Sequence, residues 1–566
     1  MDDPIWLIVP PRGKSEIIAS ELGIPLPIAR ILENRGLGGP EEAAKFLFDS
    51  VADLPDPLGM KGMDRAVERI RQAIWKKEKI LVFGDYDADG ALSVVMLLRA
   101  LRSLGGEVDY YIPHRLREGY GLKEKHIQMV KERGSSLVIT VDCGIKATSF
   151  ARKAREEGVD VIVTDHHLPG QELPDVVAIL NPVLVTSGYP SRNLTGVGVV
   201  FKLLQALLGR EGKGAHLSHY TKLVAIGTIA DVAELTGENR ILVKDGLRSL
   251  GSIANRGLRT LMESCGLSGK RVNEADVGFR IAPRINAAGR METADLVVRL
   301  FLAQQEDEIT ALVRRLEGLN AARQAEEERI LNEARGRIEA SRLADRYKVL
   351  ILGCEGWHRG VIGIVASKLK DVFHRPVLLF DYDGHQAFGS GRSIPEFSLI
   401  DCLDECGELF DDYGGHRLAV GCVLSAERME VLRSRVNALA QVRLGEDDLR
   451  KKLWIDTRLD FPEITIPFLE SFFRLAPFGN GNPWPLFFAD RVEIQGSPQL
   501  LQERHLKMTV RQNGKTFEAI GWDKAAWANR LPTRGWIRLV YSLHMSPFMG
   551  EEKITLSIEG LKAQDG

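Results

Sequence analysis

The chain has 566 residues, 44% of them hydrophobic and 27% charged, with a formal net charge of −2. That length exceeds a single core and predicts roughly three to four domains. No run of about eighteen apolar residues occurs, and Met1-Asp2-Asp3-Pro4 lacks the basic and apolar regions of a signal peptide, so a cytoplasmic chain without membrane spans is expected. The six cysteines are scattered, with no zinc-type Cys-x-x-Cys, and read as free thiols. A balance near zero leaves a nucleic-acid ligand open, because an acidic metal site subtracts charge locally and a total does not report on a basic groove.

In chain order, residues 1–55 read as a helical segment closed by Pro55 and Pro57. The apolar run Lys79-Ile80-Leu81-Val82 then leads into Phe83-Gly84-Asp85-Tyr86-Asp87-Ala88-Asp89-Gly90. Three alternate aspartates at a strand end suggest a divalent metal, although a capped acidic turn has the same pattern. Two further runs end similarly, Ser136–Val141 on Asp142-Cys143-Gly144 and Val159–Thr164 on Asp165-His166-His167. Segments 122–133 and 146–157 carry helical periodicity between them. Such βαβ alternation implies a parallel sheet, which would bring these strand ends to one edge. Asp231, after the run 223–230, is a fourth candidate. Each acid alone reads equally well as a helix cap, and each histidine as a surface residue. Together they supply mixed carboxylate and imidazole ligands, which suit manganese, zinc or iron better than calcium. Enough carboxylates are present for two ions about 4 Å apart, the usual arrangement for in-line attack at phosphorus.

Further on, Arg280, Arg284, Arg290 and Arg299 flank the small residues Asn286-Ala287-Ala288-Gly289, a pattern open to a phosphate groove or a solvated helix face. Residues 306–346, rich in Ala, Glu, Leu and Arg, predict one long helix or two. A second α/β unit follows, with strands near 348–352 and 377–380, and it carries Arg392, Ser393 and Gly414-Gly415-His416. Paired glycines permit close backbone approach, yet a tight turn with a surface histidine fits them too. From about residue 450, short alternating segments and turns such as Gln512-Asn513-Gly514 and Met549-Gly550 read as a small all-β barrel. Five of the eight tryptophans lie there: Trp454, Trp484, Trp522, Trp527 and Trp536. Aromatics among basic residues suit single-stranded nucleic acid, and each ring is equally a core candidate.

Asp85-Tyr86-Asp87-Ala88-Asp89-Gly90, Val141-Asp142-Cys143-Gly144, Thr164-Asp165-His166-His167 and Ala230-Asp231 resemble the four motifs of the DHH phosphoesterase superfamily. The stretches Ile112-Pro113-His114-Arg115, Glu118-Gly119-Tyr120-Gly121-Leu122, Pro283–Arg290, Gly356–Ser367, Gly389–Ser393, Gly414-Gly415-His416 and Leu475–Gly479 are similar to its RecJ branch of single-strand-specific 5′ to 3′ DNA exonucleases. Ala91-Leu92-Ser93, Val232–Leu235, Ala419-Val420-Gly421 and Met549 depart from the family pattern without removing a ligand position.

The resemblance implies an α/β multidomain chain. Its parts are the helical segment 1–55, a parallel-sheet DHH domain at 56–302, a connecting helix at 303–346, a smaller α/β DHHA1 domain at 347–446 and an OB-type barrel at 447–566. It implies catalytic roles for Asp87, Asp89, Asp142, His166 and His167, and one or two Mn2+ or Mg2+ ions on Asp85, Asp87, Asp89, Asp142, His166 and Asp231. Substrate contacts would come from His114, Arg115, Arg280, Arg284, Asn286, Arg290, Arg392, Ser393 and His416, with the 5′ end near Arg392, Ser393 and Arg284. His505, Lys507 and Arg511 would form a nucleic-acid platform. Implied partners are single-stranded DNA, a single-strand-binding protein and a RecQ-type helicase, with the chain itself a monomer. Two other readings stay open: a phosphoesterase of small nucleotides or pyrophosphate, and an inactive DNA-binding scaffold.

Overall fold

The computed structural model describes residues 4–564 apart from 116, 211, 213, 532–535 and 549–550. Met1–Asp3, Met549 and Gly550 therefore lie outside the described residues. The chain divides into two compact units: residues 53–449, and residues 1–52 together with 450–566.

In the larger unit, apolar residues without interruption make strands that can only be stable with both faces covered. Leu137–Val141 is buried throughout and lies at the centre of a five-stranded parallel sheet. In spatial order that sheet runs Glu107–Tyr111, Lys79–Gly84, Leu137–Val141, Asp160–Thr164 and Ala178–Leu180. Parallel neighbours align their carboxyl ends, so Gly84, Val141 and Thr164 stand in register on one edge. The helix Ala88–Ser103 starts directly above that edge, capped by Asp87, whose Oδ1 accepts from Gly90 N–H at 3.1 Å.

Glu306–Ala340 is one continuous 35-residue helix, about 50 Å long at 1.5 Å per residue. Its first half buries Ile309, Leu312, Val313, Leu316 and Leu319 in the core of the parallel-sheet domain. Its second half buries Ile330, Ala334 and Ile338 against Val361, Val365 and Leu369 of the following domain. That domain is built on a mixed sheet ordered Phe410–His416, Ala419–Ser425, Gln386–Arg392, Val377–Asp383 and Leu350–Glu355, with only the last pair parallel.

In the smaller unit, strands Phe487–Leu501, His505–Gln512, Lys515–Gly521, Glu551–Gln564 and Trp536–Phe548 pair in that order, and pairing of the first with the last closes the barrel. Of the expected helical segment 1–55, the residues up to 52 belong to this unit. Ile18, Ile28 and Leu32 pack with Phe468 and Phe472, and strand Ile5–Ile8 pairs in parallel with Lys452–Ile455. Trp484 and Trp527 pack against the core, whereas Trp454, Trp522 and Trp536 are exposed. No helix among the described residues is long and apolar enough to cross a membrane.

Candidate metal centre

The strand ends converge as their register requires. Asp85 and Asp87 leave the Lys79–Gly84 strand, Asp142 follows Val141, His166 and His167 follow Thr164, and Asp231 ends the helix Thr221–Ala230. Three overlapping groups have ligand atoms within 4.8 Å of one another: Asp142 with His166 and His167, Asp89 with His166 and Asp231, and Asp85 with Asp87 and Asp142. Asp142 and His166 each belong to two of these groups.

Asp142 adopts φ +61°, a left-handed conformation that costs energy in a non-glycine residue. His166 Nε2 lies 3.0 Å from its Oδ1, 3.7 Å from Asp89 Oδ2 and 4.0 Å from Asp231 Oδ2. The Asp142 contact lacks hydrogen-bond geometry, so Asp142 Oδ1 remains a buried oxygen without a donor, as does Asp85 Oδ1. Asp89 is fixed differently, accepting 2.7 Å hydrogen bonds from the N–H groups of Gly196 and Val197.

Burial, reinforced by the Asp87 charge, pushes Asp89 up to about 7, and burial followed by the Asp89 charge pushes Asp231 up to about 9. Asp85 and Asp142 are raised well above the ordinary carboxylate range by the same two causes. Burial lowers His166 to about 4, which leaves a neutral imidazole able to donate a lone pair. Buried carboxylates that repel one another, two of them with an oxygen lacking a donor, are what a cation would stabilise, and the donor set fits a divalent metal.

Asp165 is oriented away from this repulsion. Burial would raise its pKa, but hydrogen bonds from His167 and from the backbone of Ile145 and His167 outweigh it and hold it low. His167 Nδ1 lies 2.8 Å from Asp165 Oδ1, and despite burial this pairing raises the imidazole to about 9. Tyr120, not anticipated as a site residue, brings its hydroxyl to 3.0 Å from the same nitrogen.

Beside the acids stand three guanidinium groups, of which Arg115 lies over the Tyr86 ring at 4.9 Å. Arg290 donates to Gly360 O at 3.0 Å, and burial with the like charges of Arg115 and Arg392 lowers it to about 10. Arg392 donates to Gly391 O at 2.7 Å and to Ser390 Oγ at 3.2 Å, and burial followed by the Arg115 charge lowers it also. Among the described residues none of the three sits in an ion pair, so they repel one another in a half-buried place that an anion would satisfy. Gly363 makes room for this cluster, since a Cβ there would come within 2.8 Å of Ser390 Oγ and 3.1 Å of Arg392 Nη2.

Other expected contacts are differently employed. Arg284 pairs with Glu317 at 2.7 Å and donates to Arg280 O at 2.6 Å, and Arg280 approaches Asp276 at 3.3 Å, so both stabilise helix packing and are not turned to the arginine cluster. Ser393 Oγ donates to Phe397 O at 2.7 Å, closing its own turn. Asn286 Oδ1 accepts from Ala88 N–H at 3.0 Å and so holds the first aspartate motif rather than standing free for substrate. His114 offers its backbone N–H to Glu118 at 2.8 Å. His416 ends a hairpin strand within electrostatic reach of His167, whose charge adds to burial in lowering its pKa. On the barrel, His505, Lys507 and Arg511 share the outward face of one strand, with Leu506, Met508 and Val510 buried between them. Lys507 is paired with Glu518 at 2.8 Å, and the His505 ring meets Trp522 edge-on at 4.9 Å.

Fold and site together define a metal-dependent phosphoesterase of the DHH type. The DHH family N-terminal domain matches residues 79–228, the DHHA1 domain 346–441 and the RecJ OB domain 455–560. The single-stranded-DNA-specific exonuclease RecJ of Bacillus subtilis (strain 168) is 38% identical over 553 residues, covering 97% of this chain and 70% of the relative. That of Escherichia coli (strain K12) is 33% identical over 567 residues, covering 95% and 96%. The crystal structure of RecJ in complex with Mn2+ from Thermus thermophilus superposes with a TM-score of 0.84 at 32% identity, covering 100% of this chain and 80% of that one. Its counterpart in complex with Mg2+ gives 0.78 at 30% identity, with 100% and 79% covered. The chain belongs to the RecJ family.

Proposed function

We propose that this protein is a single-strand-specific 5′ to 3′ DNA exonuclease that releases 5′-mononucleotides by metal-dependent hydrolysis, serving DNA repair and recombination. The observation that carries this reading is the pairing of a carboxylate and imidazole cluster with an adjacent trio of arginines that form no ion pair among the described residues. Asp89, His166 and Asp231 would hold one divalent ion, Asp85 and Asp87 a second, with Asp142 shared between them. Mn2+ or Mg2+ bound there would acidify water and offset charge on the scissile phosphate. The chain's own groups do the rest. Arg115, Arg290 and Arg392 grip a terminal 5′ phosphate, the role expected of Arg392, Ser393 and Arg284. Asp165 orients His167, and His416 faces the reacting phosphate from the second sheet. A phosphate grip beside the metal centre favours a cut near a 5′ end.

On the barrel, exposed Trp522 with His505, Lys507 and Arg511 offers a ring and positive charge to an unpaired strand. Such an enzyme needs strands opened for it, so a single-strand-binding protein and a RecQ-type helicase are the proposed partners of a cytoplasmic monomer. The test uses 5′-labelled single-stranded and duplex DNA, with and without Mn2+, for the wild type and Asp142→Ala. Mononucleotide release from single strands only, dependent on metal and lost in the variant, is expected. Full turnover by Asp142→Ala in a metal-replete assay would refute the assignment.

A further inference from the structure

We infer that Glu118 is a positioning residue that sets both Arg115 at the phosphate grip and Tyr120 at the metal centre; this rests on the exonuclease activity proposed above. The segment between strand Glu107–Tyr111 and helix His126–Glu132 carries both side chains, and its described residues form no regular element. A connection of that kind keeps one shape only if side chains satisfy its backbone.

Glu118 supplies that hold. Its Oε1 accepts from His114 N–H at 2.8 Å, its Oε2 accepts from the Tyr111 hydroxyl at 2.9 Å, and His126 Nε2 lies 3.3 Å from the same oxygen. The His126 tautomer follows from its other nitrogen, since Nδ1 accepts from Lys123 N–H at 2.9 Å and leaves Nε2 to carry the proton. The His126 ring is buried against Phe83, at 5.2 Å, on the strand that leads into the first aspartate motif. One carboxylate thus ties the end of a strand, the start of a helix and the residue before Arg115 to the sheet that carries the acids.

The functional side chains flank Glu118 within the segment. Arg115 lies over Tyr86, and its charge bears on Arg290, Arg392 and Asp85. Tyr120 donates to Asp142 O at 3.3 Å and meets His167 Nδ1 at 3.0 Å. It stands between Gly119 at φ +75° and Gly121 at φ +80°, so the backbone on either side of the tyrosine turns in a way that favours glycine. Glu118 touches neither the arginine cluster nor the acids, and acts on them only through this segment.

The test compares the wild type, Glu118→Ala, Glu118→Gln, Arg115→Ala and the Glu118→Ala/Arg115→Ala double variant. Substrates are single-stranded oligonucleotides with a 5′ phosphate or a 5′ hydroxyl, in Mn2+. The ratio of kcat/KM for the two substrates is expected to fall about tenfold or more in Glu118→Ala, the loss of one charge-assisted contact. Glu118→Gln, which keeps one acceptor and turns a donor toward the other partner, is expected to fall between. The double variant should lose no more discrimination than Arg115→Ala, because both changes act through one contact. A glutamate that merely holds the fold would lower melting temperature and leave the ratio unchanged; that result, or additive losses, overturns the inference. If Glu118→Ala does not fold, Glu118→Gln is judged by the same ratio. A wild type that cleaves neither substrate would instead refute the exonuclease reading, and this inference with it.

Discussion

Gly196→Ala tests the metal centre without replacing a proposed ligand. Gly196 opens the helix Gly196–Arg210, and its N–H holds Asp89 Oδ2 at 2.7 Å. A Cβ at this position would lie 2.8 Å from Asp142 Cβ and 2.9 Å from both its Cγ and Oδ1. Ordinary contact begins at 3.4 Å, so Asp142 or the helix start must retreat by about 0.5 Å. Ligand sets tolerate errors of only about 0.5 Å, and a misplacement near 1 Å costs about a hundredfold in rate. We expect kcat to fall ten- to hundredfold, by the same estimate, with weakened Mn2+ binding in calorimetry. The overpacking cost to stability is about 1–3 kcal/mol. Gly198→Ala is the control, because the nearest atoms to its Cβ would be Leu194 side-chain carbons at 3.1 and 3.4 Å and the Thr195 hydroxyl at 3.6 Å. Wild-type turnover and Mn2+ affinity in Gly196→Ala would refute the close-packing argument.

Three further outcomes are expected. Asp89 and Asp231 are raised to about 7 and 9 by burial and neighbouring acids, so their protonated forms favour the folded state and that contribution is lost as pH rises through those values. The metal-free protein should therefore melt at lower temperature at pH 9 than at pH 6, and added Mn2+ should raise the melting temperature more at the higher pH; a pH-independent increment would contradict it. Arg290→Ala should reduce preference for 5′-phosphorylated DNA about tenfold or more, whereas Arg284→Ala should lower stability by about 1 kcal/mol through the lost Glu317 pair and leave that preference unchanged. Trp522→Ala should weaken single-strand binding in fluorescence titrations by about 1–3 kcal/mol, the worth of one stacked base, without changing Mn2+ affinity.

The acids were legible because a parallel sheet converts a local pattern, an apolar run ending in a carboxylate, into a shared edge. Asp85, Asp142 and His166 follow that rule, whereas the apolar run before Asp231 is the helix Thr221–Ala230, which reaches the same edge from outside the sheet. The arginines were harder, since Arg284 and Arg290 sit on one helix and look alike in sequence. What separates them is Glu317 on the long helix, a partner that no local pattern announces. Gly196 and Tyr120 are hidden for the same reason, each acting on a group supplied by a distant segment. Arg392 reaches the cluster, while the turn after its strand sends the Ser393 hydroxyl to Phe397 O, a difference between neighbours that the sequence does not display. The exposed Trp454, Trp522 and Trp536 look in sequence like Trp484 and Trp527, because whether such a ring is covered is decided by segments distant in the chain.

The parallel pairing of Ile5–Ile8 with Lys452–Ile455 sets an order of events during synthesis. The acids, arginines and long helix are all made before the partner of the first strand exists. At roughly 5–20 residues per second, the N-terminal helices wait tens of seconds with Ile18, Ile28 and Leu32 lacking the core they will share with Phe468 and Phe472. The catalytic unit can fold on the ribosome in that interval, while its neighbour is completed only when the C-terminal strands emerge. The barrel is thus the last part to mature, and the nascent chain carries an exposed apolar surface that a chaperone would need to cover until then.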